Sequence, residues 1–127
     1  MFELKKISFE VMTEPIPLAR PRVVRGHAYL PARNRDYKQL IQQSASYVMR
    51  NWQPFTGELF CKLNFYRKFK TSSRRFGDID NHVKAILDAL NGIVFVDDAQ
   101  IISILANKHT DRSEPRIEIE VGTVKGE

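Results

Sequence analysis

Residues 77–100 read GDIDNHVKAILDALNGIVFVDDAQ and carry five aspartates in a chain whose net charge is +5. Four apolar residues recur here at helical spacing, namely Val83, Ile86, Leu87 and Leu90. They predict an amphipathic helix over residues 80–90, and Asn91 and Gly92 supply its end. The segment therefore combines one well-defined helix with a local reversal of the charge of the chain.

Asp78 and Asp80 lie two residues apart at the start of this helix, and Asp97 and Asp98 follow its end. Carboxylates gathered in this way are the ligands that a hard divalent cation such as Mg²⁺ prefers. If a short extended segment at residues 93–96 returns along the helix, Asp98 comes back beside Asp78 and Asp80. The pattern therefore indicates a metal site, and the basic surroundings suggest that the metal acts on phosphate.

The rest of the chain shows the periodicities of a mixed α and β structure. Strands are predicted over residues 3–12, 59–67, 100–108 and 116–124, a small hairpin at Arg25 and Gly26, and a first helix from Asn34 to about Asn51. The last two strands are expected to close the fold as a pair. These elements predict an α+β fold, a two-layer sandwich of a mixed sheet with two main helices, in a single domain over residues 1–127.

Positive charge is concentrated in two segments that contain no acidic residue. Residues 20–35 carry Arg20, Arg22, Arg25, Arg33 and Arg35, and residues 67–75 carry Arg67, Lys68, Lys70, Arg74 and Arg75. Together they hold half of the 20 basic residues. Such clustering favours a polyanionic partner more strongly than the modest net charge does.

The composition also bears on location. No apolar run approaches the length of a membrane-spanning helix, and the N-terminal residues lack the apolar segment of a signal peptide. Cys61 is the single cysteine and cannot form an internal disulfide, so we expect it to be buried in a strand. We therefore expect a soluble protein of the cytoplasm with no membrane partner.

The aspartates and Lys84 also have purely structural explanations. An aspartate at a helix start can cap the helix through a hydrogen bond worth about 1 kcal/mol. Asp97 and Asp98 could form a solvated turn, and Lys84 could pair with Asp80 and Asp88 at i±4 spacing. Alternatively, Lys84 is a positive charge held beside the metal site, where it would stabilise charge on a reacting phosphate. The sequence alone leaves these alternatives open.

Three motifs follow one another within residues 78–100, namely Asp78-x-Asp80-Asn81-x-x-Lys84, Asp88-Ala89-Leu90-Asn91-Gly92 and Asp97-Asp98-Ala99-Gln100. They resemble the RusA-type Holliday-junction resolvases. Residues 17–22, PLARPR, resemble the basic segment that precedes the first helix in that family. The remaining strands agree with the family in order and length rather than in identity.

The resemblance implies a small homodimeric, Mg²⁺-dependent endodeoxyribonuclease that nicks four-way DNA junctions symmetrically, in DNA recombination and repair. It implies that Asp78, Asp80 and Asp98 are the essential carboxylates and metal ligands, and that Lys84 is catalytic. Mn²⁺ is expected to substitute for Mg²⁺.

The resemblance also implies DNA contacts from the segments around Arg20–Arg22 and Arg74–Asn81. Together with the two basic segments, this gives the expected DNA-binding residues Arg20, Arg22, Arg25, Arg67, Arg74, Arg75 and Asn81. Asp88 and Asp97 are assigned supporting roles.

Two features depart from the family pattern. His82 stands where an apolar residue is common, and Phe76-Gly77 interrupts the basic run before Asp78. We expect His82 to lie on the helix surface, pointing away from the stripe that contains Asp80. The interruption is expected to alter how tightly the DNA backbone is held near the metal.

The expected reaction is metal-assisted hydrolysis of a phosphodiester. The arginines would hold phosphates without reading sequence, and a twofold dimer could present one active site to each of the two strands that are cut. Two alternatives stay open. One is a metal-dependent nuclease for other branched DNA, such as flaps or forks, and the other is a non-catalytic nucleic-acid-binding protein whose aspartates serve only as caps and turns.

Overall fold

The computed structural model describes residues 4–19 and 22–125. These residues form β1 (Lys6–Val11), β2 (Arg22–Val24), β3 (His27–Tyr29), α1 (Ala32–Val48), β4 (Leu59–Arg67), α2 (Ile79–Leu90), a short 3₁₀ helix (Asp98–Gln100), β5 (Ile101–Thr110) and β6 (Arg116–Thr123). The prediction of an α+β fold with two main helices is confirmed.

Four strands form one mixed sheet in the order β1-β6-β4-β5. β6 pairs antiparallel with both β1 and β4, whereas β4 and β5 run parallel. The two last strands are therefore not partners, contrary to the expected closing pair, because β4 lies between them. β2 and β3 form a separate hairpin, and its turn residues Arg25 and Gly26 both have positive φ, 52° and 79°, as a tight two-residue hairpin turn requires.

The alternation of β4 separates two faces of the sheet. Leu59, Cys61, Leu63 and Phe65 are at most 1% exposed, while Lys62 between them is exposed. Both helices pack on the buried face, and they contribute Ile41 and Ala45 from α1 and Ile86 and Leu90 from α2 to the core. The sheet and the two helices therefore form two layers around one core.

α1 begins at Ala32, two residues before the predicted start at Asn34. Its buried stripe consists of Tyr37, Ile41 and Ala45, which follow one another at a spacing of four residues. Within the described part of the chain, no helix is long and apolar enough to cross a membrane.

α2 connects the parallel strands β4 and β5, and it must therefore run antiparallel to both. It starts near the end of β4 and finishes near the beginning of β5. Residues 93–96, which were expected to be extended, instead form a turn closed by a 2.7 Å hydrogen bond from Gly92 N to Phe95 O. This connection determines where the aspartates lie.

Candidate active site

Asp78 and Asp80 lie at the start of α2, where the loop of residues 68–77 leads from β4 into the helix. Asp78 occupies the N-cap position with φ −73° and ψ 138°, but its side chain makes no capping hydrogen bond. Oδ1 of Asp80 accepts a hydrogen bond from Asn81 N at 3.0 Å. Because both side chains are exposed, capping does not explain the pair, and both carboxylates are open to a ligand.

Asp98 lies at the other end of α2. Its backbone N–H donates to Oδ1 of Asn91, the C-cap residue of the helix, at 2.9 Å. At about 1.5 Å per residue, Asp80 and Asn91 stand about 16 Å apart along the helix axis. The expectation that residues 93–96 return Asp98 to Asp78 and Asp80 within one chain is therefore wrong.

The donors at the start of α2 suit a hard divalent cation in their chemistry. Mg²⁺ is commonly held by one or two carboxylates together with water and substrate phosphates, and Asp78 and Asp80 supply two open carboxylates. Among the described residues, no group of three or more histidine, cysteine, aspartate or glutamate side chains is close enough to hold a metal ion. Within the described part of the chain, a third ligand of these residue types is therefore not in place beside Asp78 and Asp80.

Lys84 and Asp88 are exposed on α2. Among the ion pairs of residues 4–19 and 22–125, none joins Lys84 to Asp80 or to Asp88. The structural alternative of an ion-pair ladder is thus not formed. Since residues four apart share one helix face, the ammonium group of Lys84 is free on the side of α2 that carries Asp80.

Asp97 has a structural role that the sequence only partly revealed. It caps the 3₁₀ helix by accepting a hydrogen bond from Ala99 N, and Oε1 of Gln100 accepts from Asp97 N at 3.0 Å. The amide nitrogen of Gln100 also donates to Phe55 O at 2.9 Å and to Gly57 O at 3.1 Å. Gln100 and Asn91 therefore fix the turn that presents Asp98, and neither was among the predicted site residues.

The family model described as endodeoxyribonuclease RusA matches residues 13–122. The chain belongs to the RusA endodeoxyribonuclease family. It is also 30% identical over 139 aligned positions to the uncharacterized protein YqaN of Bacillus subtilis (strain 168), with 93% of this chain and 96% of that protein covered.

Membership in the RusA family confirms the predicted class of enzyme, an endodeoxyribonuclease of the Holliday-junction resolvase type. Nucleases of this type act on branched DNA junctions and generally depend on a divalent metal. The purely structural explanation of the chain, a binding protein without catalysis, is therefore set aside.

The basic segment of residues 67–75, which precedes Asp78, has one buried arginine and two exposed ones. Arg67 is only 5% exposed, and its guanidinium pairs with Glu14 at 2.7 Å and donates to Phe76 O at 2.7 Å. This residue was expected to contact DNA, but its side chain is held inside the protein. Arg74 and Arg75, by contrast, are exposed and remain predicted DNA contacts.

An open groove of about 520 Å³ lies beside this segment in the RusA-family chain. It is lined by Lys68, Phe69, Lys70, Ser73, Arg75 and Arg112. Arg112 belongs to the turn between β5 and β6, distant in sequence from the other basic residues, and sequence reasoning missed it. The fold thus adds one positive charge to the predicted surface.

Of the other predicted DNA contacts that the structure describes, Arg25 and Asn81 do not line this groove. Arg20 lies outside the described residues, and Arg22 belongs to β2. Arg25 is exposed at the tip of the β2–β3 hairpin. Asn81 is half-buried, and its backbone carbonyl accepts a hydrogen bond from Leu18 N at 3.0 Å. That bond fastens the segment before the hairpin to the first turn of α2.

His82 is completely buried, so the expectation of a surface residue is wrong. Its ring lies between Phe65 and Phe76, with centroid distances of 5.0 and 5.6 Å, and Nε2 lies 2.6 Å from Phe76 O. Burial lowers the pKa of His82, and the hydrogen bond to Phe76 only partly offsets this. The imidazole is therefore a buried structural group that packs against Phe65 and Phe76.

Proposed function

We propose that this chain is a Mg²⁺-dependent endonuclease that resolves four-way DNA junctions by paired symmetric nicks, as a cytoplasmic homodimer in DNA recombination and repair. The observation that carries the proposal is the pair of exposed carboxylates, Asp78 and Asp80, which are not consumed by helix capping. They follow directly on the exposed basic loop that contains Arg74 and Arg75. A RusA-family chain with this juxtaposition can hold a phosphate backbone next to a cation.

Each residue of the first turn of α2 has a distinct role in this proposal. Asp78 and Asp80 present oxygen ligands to the ion, and the hydrogen bond from Asn81 N orients the carboxylate of Asp80. Mg²⁺ held by Asp78 and Asp80 would supply Lewis-acid chemistry for hydrolysis of a phosphodiester. Lys84 holds its positive charge on the same helix face, where it would stabilise the negative charge that develops on the phosphate.

The homodimer is supported by the edge of the sheet. β5 pairs only with β4, so its other side is an open edge within the described residues. Three large apolar side chains on this strand, Ile102, Ile104 and Leu105, are 54, 45 and 56% exposed. A long apolar edge of this kind favours pairing with another chain. We propose that a second copy pairs there about a twofold axis.

This mode of association would also supply the third carboxylate. Two β5 strands related by a twofold axis run antiparallel, so the beginning of one strand lies beside the end of the other. Asp98 begins the 3₁₀ helix that leads directly into β5, while Lys108 near the end of β5 donates to Gly77 O, next to Asp78. Asp98 of the partner subunit would thereby approach Asp78 and Asp80, and each dimer would carry two complete sites.

A nicking assay on a synthetic four-way junction tests the proposed reaction. We expect paired nicks in Mg²⁺ or Mn²⁺, no nicks in EDTA, and far slower cleavage of linear duplex. The Asp80→Asn variant should lose cleavage but bind the junction at least as tightly, because it removes a negative charge that repels DNA. Equal cleavage of junction and duplex would remove junction selectivity, and faster cleavage of flaps or forks would favour the alternative substrate class.

A mixture of two inactive variants tests the shared site. If Asp80 and Asp98 act from different subunits, a dimer of Asp80→Asn with Asp98→Asn contains one intact site. Random mixing should then restore about a quarter of the wild-type sites, since half the dimers are mixed and each has one working site. If the three aspartates act within one chain, the mixture stays inactive, and the proposed arrangement fails.

A further inference from the structure

We propose that Arg67, His82 and Lys108 are positioning residues that fix the two peptide units before Asp78, and so set the position of its carboxylate. This inference rests on the proposed function, since it takes Asp78 as a metal ligand. It concerns the interior of the protein behind the exposed carboxylates. The three side chains come from β4, α2 and β5.

The carbonyl of Phe76 is held by two donors at once. Arg67 Nη1 lies 2.7 Å and His82 Nε2 lies 2.6 Å from this oxygen. A carbonyl oxygen has two lone pairs, so both are used and neither donor duplicates the other. The peptide plane of Phe76 is therefore tied to the end of β4 and to the first turn of α2.

The next peptide is held by Lys108, whose Nζ donates to Gly77 O at 3.1 Å. Gly77 has φ of +94°, and a Cβ at this position would stand 3.0 Å from His82 Nε2 and 3.0 Å from Pro17 Cγ. Both the positive φ and the close neighbours therefore favour glycine at this position. Asp78 follows at once, and its own carbonyl accepts a hydrogen bond from His82 N at 3.2 Å.

Further contacts hold the donors themselves in place. Arg67 Nε is paired with Glu14 at 2.7 Å. The ring of Phe76 is fully buried, and the guanidinium of Arg67 and the ammonium of Lys108 lie 5.9 and 5.0 Å from its centroid. Because Phe76 O can only accept, His82 Nε2 must carry the proton and donate, and Nδ1 is buried without a partner.

These contacts join residues that lie in different elements. His82 in the first turn of α2 is linked to Phe76 in the preceding loop through its bond to Phe76 O. A carboxylate that ligates a metal must be held to within about 0.5 Å by its supporting residues. Asp78 follows the loop of residues 68–77, and this unit would fix the backbone position from which its carboxylate extends.

Three variants separate positioning from simple stabilisation. His82→Leu keeps an apolar group in the core but removes the N–H donor, and His82→Gln restores an amide N–H at similar reach. Ile86→Val is the matched control. Ile86 is also fully buried on α2, but its side chain has no group that could form a hydrogen bond. All three are compared with wild type well below their melting temperatures.

We expect His82→Leu to lower kcat for junction nicking by about 10–100-fold, with KM for the junction unchanged, as for loss of an outer partner of a metal ligand. Hydrogen exchange should become faster in residues 76–80, and Mn²⁺ binding measured by calorimetry should weaken by a similar factor. His82→Gln should recover most of each loss. Ile86→Val should lower the melting temperature but leave kcat and Mn²⁺ binding as in wild type.

Several results would overturn the inference. One is unchanged exchange of residues 76–80 in His82→Leu, and another is faster exchange with unchanged kcat and Mn²⁺ affinity. If His82→Leu and Ile86→Val lowered kcat and Mn²⁺ affinity equally, the role of His82 would be ordinary core packing. If the wild-type chain nicks no junction, the proposed function fails, while Mn²⁺ binding by wild type and His82→Leu still decides whether His82 positions a metal ligand. Absence of Mn²⁺ binding in wild type would overturn both.

Discussion

Gly77 and Gly92 stand before and after α2 with similar backbone conformations but different surroundings. Their φ angles are +94° and +81°, a range that side chains with a Cβ adopt only at a cost. A Cβ on Gly77 would press on His82 and Pro17 at 3.0 Å, whereas a Cβ on Gly92 would meet nothing within 4 Å. A comparison of alanine substitutions at the two glycines therefore distinguishes the cost of backbone strain from the cost of crowding by neighbouring side chains.

We predict that Gly92→Ala lowers the free energy of unfolding by about 1–2 kcal/mol, the cost of left-handed backbone. Gly77→Ala should lose about 1–3 kcal/mol more, because buried neighbours must also move. Urea denaturation of both variants measures the difference. Equal losses would show that the space around Gly77 can relax, and would weaken the argument that this residue is required by close packing.

The reactivity of the Cys61 thiol reports whether the core of the sheet is closed to solvent. It is 1% exposed, and burial raises the pKa of its thiol to about 12. We predict that the native protein reacts with a thiol reagent at pH 8 only as fast as it unfolds, since the thiolate is the reactive form. The unfolded thiol ionises near pH 8.5, whereas the folded thiol does not, so stability should fall as pH rises from about 8.5 towards 12. Rapid labelling of folded protein would contradict this burial; a Cys61→Ser variant supplies the control for reagent binding.

At the scale of elements, the periodicity of apolar residues predicted the type and bounds of individual strands and helices. The alternation from Leu59 to Arg67 predicted β4 with its observed ends, and the helical spacing in residues 80–90 predicted α2 to within one residue. The order of strands was not predictable in this way, because pairing between β4 and β5 is a tertiary choice that period-two patterns do not specify. That choice decides the site: a helix between parallel strands separates Asp98 from Asp78 and Asp80.

The two misplaced side chains differ in what the sequence could show. A basic residue at the end of a strand reads as a surface charge, and only the fold shows that Arg67 turns inward to Glu14. His82 precedes Ile86 by four residues and Leu90 by eight, so helical periodicity already places it on the buried face of α2. Its contact with Phe76 from the loop before the helix, by contrast, depends on the fold.

The basic groove joins the loop after β4 to the turn after β5, and Arg112 is its contribution from the second element. If Arg112 contacts one phosphate, Arg112→Ala should lower the dependence of log Kd on log salt concentration by about one for junction binding. Lys125→Ala is the matched control, because Lys125 is exposed near Glu58 at the opposite end of β4. Titrations at several salt concentrations measure both slopes, and an unchanged slope for Arg112→Ala would place the DNA elsewhere.

At the scale of the whole molecule, the described residues of one chain bring together two of the three predicted metal ligands and leave one edge of β5 unpaired. The proposed dimer would resolve both features together, because the open edge of β5 lies between the two ends of α2. A single substitution on the surface of β5 should therefore abolish both dimerisation and catalysis. This link distinguishes a shared active site from a dimer that merely holds two independent nucleases.

Leu105→Glu is the sharpest test of that link. Leu105 is 56% exposed near the middle of β5, so the substitution costs the monomer little, while a twofold axis there would bring two buried carboxylates together. We predict a monomer by sedimentation, a far-UV spectrum like that of wild type, and nicking reduced to the level of Asp80→Asn. Tyr47→Glu, a comparable change at a 67% exposed position of α1, should remain dimeric and active. A Leu105→Glu protein that stays dimeric would place the interface on another surface, and a monomer that still nicks would show that Asp78 and Asp80 need no carboxylate from a partner.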